Sequence, residues 1–78
     1  MSRPTAEDYE LAEGVILEVM REQLLVSPDA LLAEASARAV ARRGQRLSRD
    51  TLSAALVTLV GRDRLRFDDE LRLELKAS

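Results

Sequence analysis

Cysteine and histidine are both absent from this 78-residue chain. Neither a disulfide nor a thiolate–imidazole metal site is therefore available to brace the fold. Tryptophan and asparagine are missing too, and there is one phenylalanine, one tyrosine and one lysine. The three glycines, Gly14, Gly44 and Gly61, are too scattered to make a phosphate-cradling loop. Without histidine or cysteine the commonest general base and the commonest activated nucleophile are gone. The acids Glu7, Asp8, Glu10 and Glu13 fall at spacings that suit an exposed helix face. So small a domain has little room for a closed pocket that would shift carboxylate pKa values. No enzymatic activity, metal or cofactor is expected. No apolar run approaches the roughly eighteen residues needed to cross a bilayer, and Met1-Ser2-Arg3-Pro4 lacks the apolar stretch of a signal peptide. A cytoplasmic address without a membrane partner is the expectation.

What is present suits a folded protein: 46% hydrophobic and 33% charged residues. The length predicts one domain over residues 1–78, at a size where a single core is only marginally stabilising. Self-association would add to that core. Charge is distributed unevenly. Residues 1–34 carry eight acids and two arginines, residues 38–66 eight arginines and two aspartates, and residues 67–78 four acids and two bases. The segments sum to −6, +6 and −2, so a chain of net charge −2 contains a strongly basic middle, which is the signature of an anionic partner.

Helix signals occur three times. Thr5 can cap the amide of Asp8, and Tyr9, Ala12, Ile16, Val19, Met20 and Gln23 recur at helical spacing. That predicts a helix over about 6–24 with one inward stripe. Leu11, Val15 and Leu17 fall outside this stripe and are candidates for a partner or dimer surface. Gly14 sits in the helix interior, where glycine costs about 1 kcal/mol relative to alanine. It implies close approach by another helix or simple tolerance. Ser27-Pro28-Asp29 then opens a second helix, about 28–43, with Val26 and Leu31 at staple spacing and Gly44 as its stop. The third, about 49–60, starts at Ser48 with Leu47 and Leu52 as staple. Its inward stripe is Leu52, Ala55, Leu56, Leu59 and Val60.

Beyond Gly61 the apolar period changes from 3.6 to 2. Leu65 and Phe67 alternate with Arg64 and Arg66, and Leu71, Leu73 and Leu75 with Arg72 and Glu74. The pattern predicts a hairpin over about 64–75 closed by a three-residue loop, Asp68 to Glu70. It would pair Phe67 with Leu71, Leu65 with Leu73, Arg64 with Glu74 and Arg66 with Arg72. The predicted fold class is mainly α with a small β-hairpin. Removing Leu56 or Phe67 should cost about 2 to 5 kcal/mol.

The order of three helices and a terminal hairpin resembles the winged helix-turn-helix superfamily over residues 5–75. The likeness is carried by the capped run Leu47-Ser48-Arg49-Asp50-Thr51-Leu52 and the glycine-to-wing run Gly61-Arg62-Asp63-Arg64-Leu65-Arg66-Phe67. The resemblance implies that the third helix would enter a DNA major groove. Arg49, Asp50 and Ser53, with Thr58 further along, would then reach base edges, while Arg38, Arg42, Arg43, Arg46, Arg62, Arg64 and Arg66 neutralise phosphates. A bacterial or phage transcriptional regulator or DNA-associated accessory factor, dimeric on double-stranded DNA, is the reading this favours. The alternative is a winged-helix protein interaction module without DNA contact. It is favoured by the acidic wing tip Asp68-Asp69-Glu70, which would repel phosphate, and by Ala54 and Val57 on the outward side of the third helix.

Overall fold

The computed structural model describes residues 5–23 and 25–76. Helix α1 (Ala6–Glu22) starts at a reciprocal capping box. The Thr5 hydroxyl accepts from the Asp8 amide at 3.2 Å, and the Asp8 carboxylate accepts from the Thr5 amide at 3.0 Å. The helix ends at Glu22, two residues before the expected boundary, because Gln23 turns extended and caps it by donating to the Val19 carbonyl. Leu24 lies outside the described residues.

Helix α2 (Pro28–Arg43) has Ser27 as N-cap and proline in its first turn. It stops at Gly44, whose φ of 61° is the left-handed conformation that glycine adopts without penalty. Helix α3 (Arg49–Gly61) is capped by Ser48. It continues through Gly61 rather than ending before it. The left-handed residue that closes it is Asp63, φ 66°, with Asp63 and Arg64 amides donating to the Val60 and Leu59 carbonyls. Aspartate is one of the few side chains that tolerates this region.

Strands β1 (Leu65–Phe67) and β2 (Leu73–Leu75) form the antiparallel hairpin, in a register two residues away from expectation. Leu65 faces Leu75, Arg66 faces Glu74 and Phe67 faces Leu73. A two-residue shift keeps every apolar side chain on the same face, so hydrophobic pattern alone could not distinguish the registers. The turn chemistry decides it. The Asp68 carboxylate accepts from the Glu70 and Arg72 amides at 3.0 and 2.7 Å, and the Asp68 amide donates to the Arg72 carbonyl at 2.8 Å. These bonds close a wider tip in which Leu71, φ 61°, projects into solvent. Asp68 is thus a folding residue of the wing. Its carboxyl is held below the ordinary range chiefly by the Arg72 amide.

The extended link before α2 adds a third strand-like row. Val26 exchanges two backbone hydrogen bonds with Leu73, 3.1 and 2.7 Å long. Leu73 is thereby hydrogen-bonded into the middle of the sheet and fully buried. It joins Ile16, Val19, Leu31, Leu52 and Leu65 at the centre of one core shared by all three helices and the hairpin. Phe67, expected in that core, is 46% exposed. Thr51 is the buried polar side chain of the core, and its hydroxyl is satisfied by the Ser48 hydroxyl at 2.8 Å. No described helix is long and apolar enough to cross a membrane.

Candidate interaction surface

The basic middle of the sequence folds against the acidic segments on either side of it. On α2, Arg38 lies 3.3 Å from Glu18 and also pairs with Glu22, both on α1. Arg42, one turn on, pairs with the same Glu18. Arg49, at the start of α3, lies 2.7 Å from Asp29 at the start of α2, and Arg62 lies 3.6 Å from Glu13 of α1. Arg66 pairs across the hairpin with Glu74. Five of the eight arginines between residues 38 and 66 therefore meet carboxylates supplied by other elements. Glu22 is held below its ordinary pKa chiefly by the hydrogen bond from Arg38, and Arg38 is raised in return.

Arg43, Arg46 and Arg64 are exposed and make no ion pair among the described residues. Arg43 lines a shallow groove with Glu7, Glu10, Leu11 and Gln45, where carboxylates from α1 stand close. Arg46 is in the turn after α2, and Arg64 is at the root of the wing. At the wing tip, Arg72 is drawn back to Asp68 and Glu70, 3.0 and 3.2 Å away.

Of the polar residues expected to reach base edges, Arg49 pairs with Asp29 and Thr58 bonds within its own helix. Ser53 is half-buried, and the Thr58 hydroxyl donates to the Ala54 carbonyl at 2.9 Å. What α3 turns to solvent is Arg49, Asp50, Ala54, Val57, Thr58 and Gly61, with Val57 70% exposed. Beside it an open groove of about 200 Å³ runs between α2 and α3, lined by Leu32, Ala33, Ser36, Arg49 and Leu52. Ala54 and Val57 thus form a small exposed apolar patch among Arg49, Asp50 and Thr58, beside a groove floored by Leu32 and Leu52.

Two corrections concern α1. Val15, expected outside the core stripe, is buried at 4% exposure, and Leu11 and Leu17 are partly buried against the core. The inward stripe is wider than the sequence suggested, because α1 packs on α2 along one flank and on α3 along the other. Little of Leu11, Val15 or Leu17 remains for a dimer interface. The carboxylates of Glu13, Glu18 and Asp29, which organise the arginines, were not among the expected site residues. Their signal was the opposite charge of the flanking segments.

No family model and no curated protein sequence matches the chain. The fold is similar to a chain of the solved structure described as a dual E3 mechanism for Rub1 ligation to Cdc53, Dcn1(P)–Cdc53(WHB), the latter a winged-helix B domain. The TM-score is 0.82 at 18% identity, over 91% of this chain and 81% of that one. With three helices, a terminal antiparallel hairpin and this structural likeness, the chain has a winged-helix fold.

Proposed function

We propose that this chain is a winged-helix protein interaction module whose partner meets the outward face of α3 and the adjoining α2–α3 groove. The observation that carries the reading is the use of arginines. A phosphate backbone is bound by cations free to release counterions. Here Arg38, Arg42, Arg49, Arg62 and Arg66 already face carboxylates. Exposed pairs of this kind contribute little to stability, about 0 to 1 kcal/mol each. Even so, they place a carboxylate next to most positions a phosphate would occupy. The acidic wing tip adds to the repulsion. The structurally similar chain comes from a complex of Dcn1 with a winged-helix domain of Cdc53, which shows this fold serving a protein contact.

DNA binding is the second reading, favoured by Arg43, Arg46 and Arg64, which have no ion pair among the described residues. Photo-crosslinking from position 57 in cells of the source organism separates the two. A discrete protein adduct, lost when Ala54 is also replaced by aspartate, is the expected outcome. Crosslinks to nucleic acid alone would contradict the protein reading.

A further inference from the structure

The tip of the wing combines exposed apolar side chains with acid. Phe67 and Leu71 flank the run Asp68-Asp69-Glu70, one on either side, and the bond from the Asp68 amide to the Arg72 carbonyl brings both to the same end of the hairpin. Phe67 is 46% exposed and Leu71 70%. Leu71 is also held in the left-handed region, φ 61°, which disfavours any side chain of this size. Asp68 fixes it there. Its carboxylate accepts from the Glu70 and Arg72 amides on either side of Leu71, and the Leu71 amide donates to the Asp68 carbonyl at 3.1 Å. Glycine or asparagine would adopt this conformation more readily, and a leucine so exposed adds little to the core. Leu71 thus weakens the hairpin it closes, which is the mark of a side chain placed for contact outside the chain.

Charge says what kind of surface receives it. Residues 65–75 hold two arginines and four acids, a net charge of −2. Arg72 is shared by Asp68 and Glu70, and Arg66 is taken by Glu74, which leaves Asp69 without an ion pair among the described residues. Beside Phe67 lies an open groove of about 330 Å³ lined by Arg66, Asp68, Asp69 and Glu74, one cation against three carboxylates. The surplus negative charge attracts cationic side chains and repels phosphate, whether of nucleic acid or of an anionic membrane.

We infer that the wing tip is a protein-docking element. Leu71 and Phe67 enter an apolar socket on a partner protein, and lysine or arginine side chains at the rim of that socket meet Asp69 and the groove beside Phe67. An apolar anchor inside a charged rim is the ordinary anatomy of a protein contact. The tip shares no residue with the outward face of α3 or with the α2–α3 groove, so the inference stands whatever meets that face.

An aromatic photo-crosslinking residue at position 67 of the whole chain, in cells of the source organism, tests it, with the joined peptide read by mass spectrometry. The expected adduct is one protein, attached where apolar residues adjoin lysine or arginine. Leu71→Asn should remove that adduct while the melting temperature stays at or above that of the wild type, because asparagine tolerates the left-handed conformation. Asp69→Lys should lower the adduct yield about tenfold by setting like charges together. Replacing the basic residue mapped on the partner by glutamate should then restore it. Absence of any adduct overturns the inference, as does one with nucleic acid, with a second copy of the chain, or at a protein site without basic residues. So does an adduct that survives Leu71→Asn, or a melting temperature that this substitution lowers.

Discussion

Glu18 of α1 and Arg38 of α2 meet at 3.3 Å across the helix interface, although twenty residues separate them in the chain. Arg42 converges on the same carboxylate. The pairing makes α1 and α2 electrostatic complements along a shared flank. Reversing Glu18 to Arg, or Arg42 to Glu, should lower the denaturation midpoint. The double reversal should recover part of the loss, because the pair is restored with its signs exchanged. The coupling in such a cycle is expected to be on the order of 0.5 kcal/mol and to shrink as salt is raised. Urea titration of the four proteins measures it. Additive losses would show that the pair contributes nothing.

The wing gives a contrast between two apolar residues of one cross-strand pair. Leu73 is fully buried and Phe67 is 46% exposed. Leu73→Ala should cost about 2 to 5 kcal/mol, enough to leave much of so small a domain unfolded. Phe67→Ala should cost about 1 kcal/mol. Thermal melts of both variants check the order.

Two glycines should respond to alanine with opposite signs. A Cβ at Gly14 would meet nothing within 4 Å, and the residue sits in a regular helix. Gly14→Ala is expected to stabilise by about 0.5 to 1 kcal/mol. Gly44 has equal space but a left-handed φ of 61°, so Gly44→Ala should destabilise by about 1 kcal/mol. Chemical denaturation of the pair measures both. A loss at Gly14 would show that the open notch is occupied in solution.

Asp68→Ala should release the Glu70 and Arg72 amides that its carboxylate now accepts from. Their hydrogen exchange is expected to accelerate while amides in α1 and α3 stay protected, because only the wing tip loses its closure.

Acid should weaken the fold through Asp68 and Glu22, whose folded pKa values lie below their ordinary values of 3.8 and 4.5. A carboxylate whose pKa is depressed on folding contributes fully above the unfolded value. The contribution fades as pH falls from there through the folded value. Stability contributed by these two groups should therefore be constant from neutrality to about pH 5 and decline below about pH 4.5. Urea midpoints across that range test the sign.

Much of this architecture was legible in the residues. Thr5, Ser27 and Ser48 each read as helix caps, and each accepts from the amide three residues on. The change of period after Gly61 marked the hairpin. Its register was not legible, because a shift by two preserves the apolar face and the deciding bonds come from the Asp68 side chain. The partners of the arginines were also hidden. Glu13 to Arg62 and Glu18 to Arg42 are contacts between helices, set by how α1 lies against α2 and α3, and no local spacing encodes that. The charge blocks by themselves imply a surface awaiting a polyanion. In the folded chain most of that basic block faces the acidic blocks beside it.

The central claim, that the basic segment is largely neutralised within the fold, is tested most directly by titrating mixed-sequence duplex DNA at low salt. The wild type is compared with a Glu13→Gln, Glu18→Gln, Glu22→Gln variant. The wild type is expected not to bind, while the variant, with Arg38, Arg42 and Arg62 released, should bind with an affinity that falls steeply as salt rises. Salt-sensitive binding by the wild type, lost when Arg43, Arg46 and Arg64 are replaced by alanine, would contradict the account.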